Sequence, residues 1–413
     1  MAHDPRNTVT MNPLIGYPGH ELLLPDIVRA ENCHLYDAAG KRYVDLESGV
    51  WCTVIGHGHP RVLRALAEQS TRIAHTGYCY SSAIVAAAAR RVLALLGFEG
   101  GHCVFLTAGS EAVEFGVRAA QAISTRPLLM TMTDSYFGAY GSASRRRPDE
   151  WFSFDWSPCA ACPHAGDACG EHCDHWAGIP FDAIGGFLFE PGSSSGLVRF
   201  PPEKLIRSLV AAVRAQGGLL LVNEVTTGVG RTGRWFGHQH YGYTPDIVAL
   251  GKGLGNGYPV SVTAFAPSVI ERLSAGPVKY AQSHQNDPLG AAVALAVIEA
   301  IEEEGLIERG RGLAAHLLAG LEAIQARHPR LAAVRSRGLM VALEFADDSG
   351  GTFTRRVQRE LLGRGYVVAQ RIGLPVIRVD PSLTIDCEDL DGFLATLAEV
   401  LAIPAHDGAP RGD

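Results

Sequence analysis

Lysine is scarce in this chain: Lys41, Lys204, Lys252 and Lys279 stand against 32 arginines in 413 residues. A basic excess is missing as well, because Asp plus Glu total 43 against 36 for Lys plus Arg, a formal net charge of −7. That balance argues against a nucleic-acid or anionic-membrane footprint, which needs clustered positive charge. No apolar run approaches the roughly 18 residues of a membrane span, and the longest candidate, 83–98, is interrupted by Arg90 and Arg91. The opening stretch to Asn12 is polar, carries Asp4 and Arg6, and lacks the apolar centre of a secretory signal. These absences predict a soluble, cytoplasmic protein that acts on small molecules.

What is present is a globular balance, 47% hydrophobic and 19% charged, with 47 glycines, many of them just after apolar runs. The runs 104–107, 128–132, 187–190, 219–225, 246–250 and 260–266 are almost continuously apolar, as strands covered on both faces must be. They predict a doubly wound, mainly parallel α/β sheet domain over 51–285. From 286 onward, helical patterns at 289–304 and 312–327, short strands at 339–345, 366–370 and 376–379, and a terminal helix at 388–401 predict a smaller α+β domain over 286–413. Residues 1–50 are expected to pack with that second domain, and the tail 405–413 to be disordered.

Ligands in open α/β sheets bind beyond the carboxyl ends of the strands, so the residues closing each strand deserve inspection. The run 104–107 leads into Gly109 and Ser110 at a predicted helix start, where free N–H groups attract a phosphate, although an ordinary Ser cap reads the same way. Asn223 and Glu224 close an apolar strand, and buried polar groups there require partners. Lys252 alone among the lysines sits in a glycine-rich loop straight after a buried strand, where desolvation frees an amine nucleophile. A phosphate cradle, a polar strand end and a dry amine together are what pyridoxal 5′-phosphate needs to be held as a Schiff base.

The runs Gly40-Lys41-Arg42-Tyr43-Val44-Asp45 through Gly56-His57-Gly58-His59-Pro60, Ala108-Gly109-Ser110-Glu111-Ala112, Glu224-Val225 through Gly230-Arg231-Thr232-Gly233, Lys252 with its glycines, and Asp380-Pro381-Ser382-Leu383-Thr384 are in the order of the class III aminotransferases, which this sequence resembles over nearly its whole length. The resemblance implies the fold type I architecture, with a seven-stranded-type sheet, and an exchange of an amino group between an amino acid or amine donor and a 2-oxo acid. It implies that Lys252 carries the cofactor and shuttles the proton, and that Gly109 and Ser110 bind the phosphate. Tyr136 would stack on the ring, with Phe137 replacing a common His, while Val225 covers the opposite face. Thr226 takes the place of a frequent Gln, and Glu190 belongs to the cofactor set. Ser283 matches a hydroxyl that reaches the phosphate of the neighbouring subunit, so a homodimer with interfacial active sites is implied. Arg378 and Trp51 would form the substrate side.

Three departures stand out. Asn223 replaces an Asp that pairs with the ring nitrogen, and an amide carries no charge to keep that nitrogen cationic. A weakened electron sink would favour decarboxylation, racemisation or oxidation of an amino acid over transamination; a neutral replacement in a working transaminase is the other reading. The stretch Glu190-Pro191-Gly192-Ser193-Ser194-Ser195-Gly196 lacks a second Glu that elsewhere neutralises the arginine, leaving Arg378 for a substrate carboxylate or a structural ion pair. With Ser283-His284-Gln285-Asn286-Asp287-Pro288, this is similar to the decarboxylating branch typified by dialkylglycine decarboxylase. Finally, an insertion at about 156–176 crowds Cys159, Cys162, Cys169 and Cys173 among His164, His172 and His175. Such spacing suits a structural zinc, with disulfides, free thiols and an iron–sulfur cluster as alternatives. Arg145-Arg146-Arg147 reads as a solvated turn.

Overall fold

A computed structural model describes residues 15, 21–24, 26–77, 79–162, 169–170, 173–274, 278, 280–346, 348 and 350–403. Three sheets organise them. Strands β1 (Ile27–Glu31), β2 (His34–Asp37) and β3 (Arg42–Asp45) open the chain. Seven strands then build the central sheet: β4 (His102–Leu106), β5 (Leu128–Met132), β6 (Trp151–Phe154), β7 (Ile184–Phe189), β8 (Leu219–Asn223), β9 (Ile247–Leu250) and β10 (Ser261–Phe265). The last third adds β11 (Leu331–Arg337), β12 (Met340–Phe345), β13 (Tyr366–Val367), β14 (Ala369–Gln370) and β15 (Val376–Val379).

The central sheet runs β4-β10-β9-β8-β7-β5-β6. Every pairing from β9 to β6 is parallel, and only β10 runs antiparallel to its neighbours. Alternation along each strand explains why these runs carry almost no polar residue. Leu219 and Leu221 face the cluster that includes Ala112, Val113 and Val117 of the helix Gly109–Ile123. Leu220 points the other way, toward Leu205, Ile206, Leu209 and Val213 of the helix Glu203–Ala215. Both faces are covered, so both parities must be apolar.

Beyond the three strands before Leu46, two further strands lack a sequence signal. Trp151–Phe154 is a four-residue edge strand that follows the arginine run, and Leu331–Arg337 is half exposed, so neither shows a continuous apolar pattern. The tail 405–413 lies outside the described residues.

Residues from the two chain ends share one sheet, because β13 pairs in parallel with β3. Strands β11, β12, β15 and β14 form an antiparallel sheet whose Val341, Leu343, Ile377 and Val379 join the same core as Val248 and Leu250 of the central sheet. A polar tie reinforces this seam. Arg231 is 1% exposed. Its guanidinium donates to the carbonyls of Leu339 (3.2 Å), Asp380 (3.0 Å) and Pro381, while its own carbonyl accepts from Leu339 N at 3.0 Å. Gly338 permits the approach: its φ is +58°, and a Cβ there would lie 2.4 Å from the Thr232 carbonyl carbon.

Replacing Arg231 with Met keeps the volume but orphans three buried carbonyls, each worth about 1–3 kcal/mol. Urea unfolding of Arg231→Met is expected to show a stability loss of about 3 kcal/mol or more, with the m-value unchanged if the transition remains two-state.

Candidate active site

The carboxyl ends of β4, β5, β7, β8 and β9 deliver, in turn, Gly109 and Ser110, Tyr136, Glu190, Asn223 and Lys252 to one edge of the central sheet. A cavity of about 910 Å³ opens there, bounded by Lys252, Tyr136, Trp51, Glu47, Arg378 and Arg371 among others.

Lys252 begins a short 3₁₀ turn directly after β9 and holds φ at +46°, a left-handed conformation that costs a non-glycine residue about 1–2 kcal/mol. Its Nζ donates to Thr226 Oγ1 at 3.1 Å and lies 4.4 Å from the centre of the Trp51 ring. Burial lowers its pKa to about 8, against the pull of Cys52 and Glu190, with Arg378 and Arg371 adding to the depression. The amine is therefore largely neutral only slightly above physiological pH, as a nucleophile must be.

At the end of β4 the side chain of Glu111 turns back to accept from Thr107 N (2.9 Å) and Ala108 N (3.0 Å), which fixes the start of the helix Gly109–Ile123. The amides at this helix start face outward without intrahelical acceptors, a natural anion seat. Gly109 has to be glycine, because a Cβ would come 2.6 Å from Val225 Cγ1. Ser110 Oγ accepts from Ala139 N at 3.0 Å, tying the seat to the loop that carries Tyr136.

Asn223 and Glu190 are 3% and 2% exposed. The Asn223 amide donates to Tyr136 O (3.0 Å) and Glu190 Oε1 (3.4 Å) and accepts from Val225 N at 3.1 Å. Burial pushes the Glu190 carboxyl up to about 7, opposed by hydrogen bonds from Ser194 and Tyr136 and by the charge of Lys252. The adjacent Glu224 faces away and is fully engaged by Gly237 N, His238 N and Nδ1, and Thr227 Oγ1.

Arg378, on β15, stacks 3.8 Å above the Trp51 ring that also faces Lys252. It has acidic neighbours that the sequence reading did not weigh: Glu47 Oε1 at 3.7 Å and Asp380 Oδ2 at 3.7 Å. Burial raises the Glu47 carboxyl to about 7 in spite of Arg378. Trp51 is positioned by an unusual left-handed turn, Ser48–Trp51, with φ between +48° and +67° at all four residues. Ser48 Oγ anchors the turn on Asp380 O at 2.6 Å. Glu47, Arg371 and this turn had no sequence signal beyond their nearness to Asp45 and Arg378.

Other expected site residues fall elsewhere. Phe137 is 2% exposed and packs in the core with Val113 and Leu188, below the Arg146 guanidinium. Ser283 is exposed and does not line the cavity of its own chain. Cys159, Cys162, Cys169 and Cys173 are free, half-buried thiols; burial and the charges of the other three raise the Cys159 pKa to about 11. His175 bonds instead to Asp155 O at 2.5 Å, and His164 and His172 lie outside the described residues. Among the described residues, the group with ligand atoms gathered within 4.8 Å is His75, His284 and Asp287, and the four sulfurs form no such group.

Comparison with known proteins gives this geometry its family. The profile described as aminotransferase class-III matches residues 16–149 and 164–401. The chain belongs to the class-III aminotransferases. Among relatives of this transaminase, an acetylornithine aminotransferase of Mycobacterium tuberculosis is 32% identical over 372 residues, 88% of each chain. A leucine/methionine racemase of Thermococcus litoralis is 28% identical over 401 residues, covering 91% of this chain and 90% of that one. A Bacillus anthracis aminotransferase structure superposes with a TM-score of 0.83 at 23% identity, covering 91% and 92% of the two chains, which supports the fold alone. The family match lapses over 150–163, where Cys159 and Cys162 begin the insertion.

Enzymes of this class use pyridoxal 5′-phosphate, and the site fits it: a dry amine, an anion seat whose glycine cannot be enlarged, and an aromatic on the cavity wall. Because the neutral amine is the reactive form, borohydride-trapped attachment of the cofactor to freshly stripped enzyme, read by peptide mapping at Lys252, is expected to rise with pH through about 8. An ordinary lysine would rise about two units higher.

Proposed function

We propose that this transaminase moves an amino group between an amino acid or amine donor and a 2-oxo acid, with Lys252 holding the cofactor and carrying the proton. The observation that supports this most strongly is the pairing of one desolvated amine with one buried guanidinium across a single indole ring. When bound, the cofactor supplies a carbonyl for the donor and an electron sink. Gly109 and Ser110 are proposed to seat its phosphate, Tyr136 and Val225 to flank its ring, Thr226 and Glu190 to complete its surroundings, and Asn223 to lie against the ring nitrogen. Lys252, once displaced, has its Nζ held by Thr226 Oγ1 and restrained by the Trp51 face, which places it to take a proton and return it.

Arg378 is proposed to bind the substrate carboxylate. The buried Arg378 Nε has no hydrogen-bond partner among the described residues, and a substrate carboxylate would give it an acceptor. The racemase relative keeps one alternative in view, chemistry at Cα without net amino transfer. Product analysis with and without a 2-oxo acid separates the two: transamination requires the acceptor, and enantiomer formation without it would replace our reading. In the same panel, Arg378→Ala is expected to raise KM for carboxylate-bearing substrates roughly a hundredfold, the equivalent of about 3 kcal/mol.

We further propose a homodimer in which Ser283 serves the neighbouring subunit, consistent with its exposed position. We propose a reduced cytoplasmic setting, in keeping with nine cysteines that form no disulfide; no helix among the described residues is long and apolar enough to cross a membrane. The Cys-rich insertion is proposed as a zinc-stapled loop, in which the metal would draw the four thiols into one shell. Elemental analysis is expected to find one zinc per chain, lost when Cys159, Cys162, Cys169 and Cys173 are all changed to Ser. A metal-free wild type, or iron in place of zinc, would refute the staple.

A further inference from the structure

An asparagine side chain has two N–H donors and two acceptor lone pairs, so its hydrogen bonds can be counted. In Asn223 both donors are committed, one to Tyr136 O at 3.0 Å and the other to Glu190 Oε1 at 3.4 Å. One lone pair of Oδ1 is taken by Val225 N at 3.1 Å. The amide cannot be turned over, because that would set its NH₂ against the Val225 N–H and its oxygen against the Tyr136 carbonyl. At 3% exposure, bulk water does not compete. One acceptor lone pair is all that Asn223 has left to offer.

Glu190 holds this arrangement. Its carboxylate is itself fixed at both oxygens: Ser194 Oγ donates to Oε1 at 2.6 Å, and Tyr136 N (3.0 Å) and Ser194 N (3.2 Å) donate to Oε2. Burial lifts Glu190 to about 7, but the donors from Ser194 and Tyr136 favour its ionised form, and in that form it draws electron density from Nδ2 toward Oδ1, which strengthens that oxygen as an acceptor. Its charge thus reaches across the amide to whatever Oδ1 faces. A ring nitrogen resting against a lone pair is stable there only if it brings the proton.

We propose that Glu190 is a positioning residue that locks the Asn223 amide with Oδ1 as its single free hydrogen-bonding site, so that this chain keeps the cofactor's ring nitrogen protonated through a Glu190–Asn223 relay instead of a directly paired carboxylate. This rests on the pyridoxal-phosphate reading of the site and deepens it. It also removes the expectation of a weakened electron sink: the missing charge at position 223 is supplied from position 190.

The test uses the holoenzyme loaded with cofactor carrying nitrogen-15 at the ring position. Wild type is expected to show the pyridinium resonance. Glu190→Leu, which removes the anion and the acceptor, and Glu190→Gln, whose amide can present either a donor or an acceptor, are expected to shift the resonance toward neutral pyridine while the label stays on Lys252. Asn223→Asp is expected to keep the pyridinium resonance, and to keep it when Glu190→Gln is added, because a direct carboxylate needs no relay. A pyridine resonance in wild type overturns the proposal, as does an unchanged resonance in folded, loaded Glu190 variants. Should the Glu190 variants not fold, Asn223→Leu carries the comparison: a pyridinium resonance that survives there overturns the relay, and its loss supports it. Failure of the label to attach to Lys252 in wild type would overturn the parent reading, and the relay with it.

Discussion

Keeping the Lys252 amine out of water constrains everything around it. A buried ammonium is costly unless paired, and a fully paired one would be a poor nucleophile, so the site has to leave it dry but incompletely compensated. The structure meets that requirement with a hydroxyl and an aromatic face instead of a hydrogen-bonded carboxylate: Thr226 at 3.1 Å and the Trp51 ring at 4.4 Å, with Glu190 acting only through space. Two arginines push the same way as burial. Strain at the lysine backbone and in the Ser48–Trp51 turn is the cost of pointing these groups at one another, and the well-packed sheet beneath can sustain it.

The catalytic and substrate-side groups do not come from the same sheet. Lys252 and Asn223 close strands of the central sheet, whereas Arg378 rides on β15 of the C-terminal one and Trp51 on the segment following β3. Their distances hold only as long as the seam between the sheets does. Arg231 serves that seam by gripping the backbone at Leu339 and Asp380, two residues beyond Arg378, and Ser48 reaches the same Asp380 carbonyl. Stability and activity are therefore coupled here through main-chain hydrogen bonds, and damage far from the cavity would first appear as a misplaced guanidinium.

The central strands were legible because burial on both faces leaves a continuous apolar run, and the cofactor-side residues because each closes such a run. Asn223, Lys252, Gly109 and Ser110 were found in this way. What stayed hidden depends on tertiary geometry. The antiparallel direction of β10 leaves no mark on a strand that is buried at every position. Tyr136 lines the cavity while its neighbour Phe137 packs in the core, a divergence that adjacency in sequence does not reveal. Nothing in the sequence distinguishes Glu47 from other acids; only the fold brings Arg378 within 3.7 Å of it. The left-handed turn is carried by Ser48, Val50 and Trp51, residue types that do not advertise positive φ.

Charge around Arg378 sets a limit on what the cavity accepts. Asp380 is fully buried and already faces both Arg378 and Arg231, so it offers little extra compensation. Glu47 is different: its carboxyl lies near 7, held up by burial and by Asp45 and Asp380, and held down chiefly by Arg378. A substrate carboxylate that takes hold of Arg378 weakens that restraint and adds a neighbouring negative charge, so both effects favour a proton on Glu47. Near neutral pH that protonation is inexpensive, because the group starts close to its midpoint. A substrate end lacking charge leaves Glu47 near its midpoint beside Arg378. The same cavity can thus receive a carboxylate or a neutral group beside Arg378 without stranding a bare charge in either case, and this follows from one acid whose affinity for its proton is nearly balanced.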